Sequence, residues 1–240
     1  MKSARFISLT LVFSLLFFSE CTVSEINKTL GGILNDGPPS TEEVAAGLKE
    51  ALIQGTNKGS DVASQVDGYF KNPQIKIPFP PDVQNVADKL RDIGLGDQVD
   101  NFVLTLNRGA EKAAREAGPI FVSAIKQMTV QDAWNILKGE NDAATQYLRR
   151  TTSDNLRVRF KPVIANALES TNATKYYNDI VSTYNKIPFV TKVDPDLENY
   201  ATERAMDGLF YLIAMEEANI RDNPGARATD LLKKVFKEQD

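Results

Sequence analysis

The sequence predicts an all-α fold, a compact multi-helix bundle behind an N-terminal signal peptide, and three observations carry that expectation. Apolar residues recur at three- and four-residue intervals along nearly the whole chain. Strand-like alternation is scarce, so at most a minimal two-stranded extended pairing is expected. The composition is that of an ordinary globular protein: of 240 residues 42% are apolar and 25% charged, with 14 Gly and 11 Pro. There is no histidine, and Cys21 is the single cysteine. Imidazole bases, histidine-ligated metals, Cys–His nucleophile pairs and internal disulfides are thereby excluded.

Residues 1–21 read as a signal peptide. A basic start, Lys2 and Arg5, precedes the apolar run Phe6 to Phe18, which is too short for the roughly 20 residues of a membrane span. Cleavage after Cys21 would leave a free chain. Cleavage before it would leave Cys21 as the N-terminal residue, a lipidation candidate, although Glu20 stands where lipoboxes hold a small residue. The expected address is therefore exported, in the periplasm or outer envelope, with membrane contact only through such an anchor. The net charge of −4 becomes −5 once Lys2, Arg5 and Glu20 are lost. A mildly acidic chain with short, interrupted basic clusters argues against nucleic acid as a partner.

Residues 22–39 read as a short helix over Ser24 to Leu34 and a linker, and residues 40–238 as one all-α domain. Ser40 or Thr41 caps a long helix, with Glu43 in capping-box position. Its stripe runs through Val44, Leu48, Ala51, Leu52, Gly55, Gly59, Val62 and Val66 to about Tyr69, and the two glycines imply close helix packing. Asn72 to Pro81 is extended, since each proline disfavours a helical predecessor, and could pair with residues 187–190. Asp82 to Ile93 and Asp97 to Ala117 are the next helices, separated by Gly94-Leu95-Gly96. Gly118-Pro119 interrupts, Pro119 to Gln127 restarts, and Thr129-Val130-Gln131-Asp132 then opens a short helix from Ala133 to Lys138, closed by Gly139. Further helices are expected over 142–150, 154–168, 172–185, 195–222 and 224–237. Pro195 and Pro224 fit first-turn positions behind Asp194 and Asn223 as caps.

No catalytic set and no metal set emerges, and no cofactor is expected. Ser123-Ala124-Ile125-Lys126 and Ser153-Asp154-Asn155 match two elements of serine–lysine acyl-transfer sites. Twelve serines and seventeen lysines make about one such S-x-x-K by chance, and the K-T-G element is absent. Asp194, Asp196 and Glu198 resemble a cation loop but lack its glycine and distal acid, and acids are expected at a helix start anyway. Asn27-Lys28-Thr29 and Asn172-Ala173-Thr174 are glycosylation sequons only in a host that glycosylates.

The ligand-binding candidates are Glu216, Arg221, Arg227, Asn107 and Glu111. Glu216 falls within the apolar stripe Ala205, Leu209, Leu212, Ile213 and Ile220, while Glu217 and Asp207 fall off it. A carboxylate there is either desolvated or paired with a cation, from Arg221, Arg227 or another helix. Asn107, Glu111 and Arg115 share one side of their helix, the pattern of a solvated, salt-bridged face.

Several spaced blocks occur in a recognisable order. They are Gly47 to Leu52 with Gly55-Thr56, Leu106 to Glu111, Met128-Thr129 with Asp132 to Gly139, Ala144 to Tyr147, and Glu216 to Arg227. Over roughly residues 40 to 238 the chain resembles the bacterial domain of unknown function numbered 4197. The resemblance implies an exported, mostly helical envelope protein and supplies no activity. Two function classes are carried forward. One is a non-catalytic binding or structural module for an unknown protein or small-molecule partner in the envelope. The other is a carboxylate-dependent hydrolase acting on an anionic envelope-derived substrate, with Glu216 or Glu111 as acid or base and an arginine holding the substrate.

Overall fold

A computed structural model describes residues 40–237 apart from Ile187, Val190, Pro195 and Ala228. The signal peptide, Cys21 and the helix expected over Ser24 to Leu34 lie outside the described residues. Pro39–Asp240 forms one compact unit. Among the described residues it contains nine α-helices and no strand: α1 Thr41–Ser64, α2 Gln84–Asp92, α3 Gly96–Ala114, α4 Ala117–Gln127, α5 Val130–Leu137, α6 Ala143–Glu169, α7 Ala173–Tyr184, α8 Leu197–Asp222 and α9 Asp230–Phe236. Short 3-10 turns, Pro81–Val83 and Pro224–Ala226, precede α2 and α9.

Four long helices close around the core: α1 packs on α8, α8 on α6, α6 on α3, and α3 back on α1. The ring is filled by Leu48, Leu106, Leu148, Leu156, Phe160, Ile164 and Phe210, all fully buried. Helix α4 wedges between α1 and α6 and sends Phe121 edge-on to Phe210, with centroids 5.9 Å apart. Helix α5 seals α1 and α6, α9 lies on α1, α2 on α3, and α7 on α6 and α8. Ion pairs from Arg149 to Asp207 (2.8 Å) and from Arg157 to Glu203 (2.6 Å) run along the α6–α8 seam.

Local chemistry sets several helix starts. Ser40 and Glu43 form the expected capping box on α1, and Thr129 and Asp132 form another on α5. The Thr129 hydroxyl and backbone N–H hold the Asp132 carboxyl below its ordinary range. At α8 the N-cap is Asp196, which accepts from the Asn199 N–H, whereas Asp194 accepts from the Asp196 N–H one step earlier. The acids of the suspected cation loop thus serve the helix start. Pro195 lies outside the described residues.

Other expectations are corrected. Helix α1 stops at Ser64 rather than Tyr69, because Gln65 is extended and Asp67 is left-handed at φ 70°. Its buried face near that end runs through Gly59, Ser60 and Ala63, which leaves Val62 and Val66 exposed. Helix α4 starts at Ala117 and takes Gly118-Pro119 into its first turn, where the N–H that proline lacks would be unpaired in any case. The two helices expected over 142–150 and 154–168 are one, α6. Thr151, Thr152 and Ser153, which suggest a break, donate their hydroxyls to the carbonyls of Tyr147, Leu148 and Arg149 at 2.9, 2.6 and 2.6 Å. Bonded back along the helix, they leave the backbone ladder intact. The last segment is a 3-10 turn behind Asn223 followed by α9, capped by Thr229.

Candidate functional site

The five sequence candidates lie in the interior, and each spends its polar atoms on the protein's own framework. Asn107 of α3 is completely buried. Its Oδ1 accepts from the Ile77 N–H at 2.9 Å, and its Nδ2 donates to the carbonyls of Ile77 (2.8 Å) and Val103 (2.7 Å). One amide side chain thus supplies both backbone partners of Ile77. Asn72 to Pro81, expected to be extended, is so only in part: residues 73–75 turn, with the Ile75 and Lys76 N–H groups donating to the Asn72 carbonyl, and Pro81 opens a 3-10 turn. The pairing expected with residues 187–190 falls partly outside the described residues. Glu111, one turn further, accepts from the Tyr69 and Phe70 N–H groups at 3.2 Å each. Its other oxygen takes Arg108 at 2.6 Å, and Arg108 also reaches Asp67 at 2.6 Å. Glu111 and Asp67 beside it hold the Arg108 guanidinium above its ordinary pKa.

The solvated face expected for Asn107, Glu111 and Arg115 is therefore inverted. Only Arg115 is exposed; the other two anchor the loop between α1 and α2. The loop returns the favour through Tyr69, fully buried, whose hydroxyl donates to the Ala205 carbonyl of α8 at 2.6 Å. Burial, and secondarily Glu111, pushes that hydroxyl far above the ordinary tyrosine pKa.

Glu216 is buried, as its stripe predicts, and its cation comes from another helix. Lys58 of α1 approaches its two oxygens at 2.8 and 2.7 Å, and Asn219 donates at 3.2 Å. Glu217, placed off the stripe by projection, is equally buried and more heavily used. It accepts from the Ala144 N–H (2.9 Å), the Thr145 N–H (2.8 Å) and the Thr145 hydroxyl (2.8 Å). Arg221 adds two bonds to it, at 3.1 and 2.9 Å. Helix α6 has no capping side chain of its own, so a carboxylate from α8 satisfies its first free N–H groups.

The arginines do the opposite job at helix ends. Arg221 donates to the Ile136 carbonyl near the end of α5 at 2.9 Å. Arg227 is 2% exposed and donates to the carbonyls of Ile220 (3.1 Å) and Arg221 (2.8 Å) at the end of α8. Cations at the free carbonyls of a helix C-terminus suit both the hydrogen-bonding need and the dipole. Sequence reasoning missed Glu217. The available signal was the pair Glu217–Arg221 at i, i+4.

Two of the surface grooves bear on the readings above. One, of about 520 Å³ between α4 and α6, includes Ser123, Tyr147, Asn155 and Arg159 but not Lys126. The Ser123 hydroxyl accepts from Gln127 at 3.3 Å, so the two serine–lysine motif fragments share a groove without assembling a Ser–Lys pair. The other, of about 680 Å³, lies between α2, α3 and α7, with Phe79, Leu90, Phe102, Ala173 and Ile180 among its apolar walls. Among the described residues no group of three or more acidic or sulfur side chains could hold a metal, and no helix is long and apolar enough to cross a membrane.

The blocks that carry the family resemblance are thus the clasps and helix-end contacts of the framework. A family model described as "Protein of unknown function (DUF4197)" matches residues 38–237. The protein belongs to the DUF4197 family. No curated protein and no solved structure matches the chain. The DUF4197 match begins just before the Ser40 cap of α1 and ends with α9, so the family unit and the helical bundle coincide.

Proposed function

We propose that this protein is a non-catalytic helical module of the bacterial cell envelope that binds a protein or small-molecule partner or serves structurally. Residues 1–21 would direct its export, and Cys21 would be either lipidated or removed. The single observation that carries the reading is the pairing of Glu111 and Glu216. A carboxylate acting as acid or base must meet substrate, whereas Glu111 is 3% exposed and its oxygens accept from backbone N–H groups and Arg108. Glu216 is held by Lys58 and Asn219. Arg221 and Arg227, which the hydrolase reading needs for an anionic substrate, are directed at backbone carbonyls. These arrangements favour a rigid framework over a reactive centre.

The test combines affinity capture from the native envelope with a turnover screen of envelope-derived esters, glycosides and peptides. A partner recovered reproducibly, with no product formed, is the expected result. Turnover by the wild-type protein that Glu216→Gln abolishes would overturn it. Intact mass from the native host reads the address: an acyl increment on Cys21, or a free N-terminus beyond it, is expected. Unprocessed Met1 in the cytosol would refute export.

A further inference from the structure

We infer that the groove between α2, α3 and α7 is a binding site for a neutral, largely apolar small molecule, a reading that rests on the module proposal and names its site and ligand class. The cavity, about 680 Å³, falls within the roughly 300–1,000 Å³ of small-molecule sites. Its floor is built from aromatic rings already packed on one another. Phe79 and Phe102 lie 4.8 Å apart between centroids, and Phe102 packs in turn on Tyr177, which is not itself a lining residue, at 6.2 Å with the ring planes 26° apart.

Charge decides the ligand class. No Asp, Glu, Lys or Arg is among the residues lining the groove, in a chain where a quarter of residues are charged. The polar rim consists of the neutral amides and hydroxyls of Gln98, Asn101, Thr105 and Thr171. Two ion pairs on the bordering helices, Arg91 with Asp100 at 2.6 Å and Lys175 with Asp179 at 3.0 Å, involve none of the lining residues. An ionised ligand would lose water here without meeting a counter-charge, whereas a neutral ring or short acyl chain loses only unfavourable hydration. Amides and hydroxyls at the rim can still orient one uncharged polar group. The volume and the absence of charge in the lining favour a small molecule over a docking helix or a second copy, whose charged flanks would meet no counter-charge there.

The test uses two probes with one ring system, neutral N-phenyl-1-naphthylamine and its sulfonated counterpart 8-anilinonaphthalene-1-sulfonate, titrated by fluorescence into the purified full chain. The neutral probe is expected to bind one per chain, at least about tenfold tighter than the sulfonate, a difference of about 1.4 kcal/mol. Thr105→Lys, which brings a charge into the groove, should weaken it about tenfold or more, while the neutral Thr105→Val should not. Tyr176→Ala, at a wall residue that is 58% exposed, guards against misfolding at Thr105 and should weaken binding severalfold at unchanged melting temperature.

Equal or tighter binding of the sulfonate, or neutral-probe binding indifferent to both Thr105→Lys and Tyr176→Ala, would overturn the inference. So would sedimentation showing a dimer that Thr105→Lys dissolves, since a second copy would then cover the groove. An envelope partner still captured by Thr105→Lys alongside a groove that binds no probe would sink this inference and leave the module reading standing.

Discussion

Replacing Glu217 by alanine should be among the most damaging single changes in this protein, although helical projection places the residue outside the apolar stripe. The carboxylate is buried, with Glu217 and Arg221 side chains 7% and 9% exposed. It accepts from the first N–H groups of α6 and from Arg221. Removing it leaves buried donors without partners and Arg221 without its counter-charge. Breaking a buried pair from one side costs about 3–5 kcal/mol. For a domain of this size each kcal/mol lowers Tm by about 2–4 °C, so Glu217→Ala should melt on the order of 10 °C lower. Glu217→Gln should rescue little, because only one amide atom can accept while its NH2 faces donors, and a loss above about 2 kcal/mol should remain. In Glu217→Ala/Arg221→Ala the stranded charge is gone, so the combined loss should fall short of the sum of the single losses by about 1–3 kcal/mol. Urea unfolding followed by circular dichroism supplies the four corners of the cycle. Asp207→Ala on the same helix is the control: its pair with Arg149 is solvent-exposed and should change stability by less than about 0.5 kcal/mol. If Glu217→Ala unfolds at the same urea concentration as Asp207→Ala, or the double mutant is additive, the capping account of α6 is wrong.

Glu216→Ala should cost much less, no more than about 1 kcal/mol, because its partner Lys58 is 56% exposed and regains water on release; a loss as large as that of Glu217→Ala in the same urea titration would contradict this. Glycine tolerance should split. A Cβ at Gly208 would lie 2.7 Å from the Tyr69 ring and 3.0 Å from Ile75, whereas at Gly55 the nearest atom is 3.6 Å away. Gly208→Ala should therefore lose about 1–3 kcal/mol, and Gly55→Ala should be neutral or gain up to about 1 kcal/mol of helix propensity; the reverse order in thermal melts would refute the packing. Alkaline stability should fall in a defined way. Tyr69 keeps its proton in the folded state far above the unfolded value of about 10, so its contribution is complete below that pH and is lost above it by about 1.4 kcal/mol per pH unit. Tyr69→Phe should flatten the fall in urea midpoint above about pH 10 while costing about 1 kcal/mol at neutral pH through the lost bond to Ala205; an unchanged alkaline slope would mean that another group governs it.

Features that depend on neighbours along the chain are legible in the amino-acid order. Helix periodicity, the capping boxes at Ser40 and Thr129 and the burial of Glu216 all follow from interactions within a few residues. Even its local errors have local causes: Thr151 to Ser153 resemble a break because their hydroxyls can bond either outward or back along the helix. Which helices meet, and what their polar side chains find there, depends on how the bundle packs. Asn107 and Glu111 satisfy every pattern of a solvated face until a loop 30 to 42 residues away in sequence supplies the backbone groups they hold. Lys58 reaches Glu216 across 158 positions, and Glu217 reaches the start of α6 across 73. A projection ranks positions by the apolarity of their own helix, so it cannot show that a carboxylate off the stripe faces the unpaired N–H groups of another helix. The cost of leaving such groups unpaired in the interior fixes these side chains, and that cost exists only once the helices have packed.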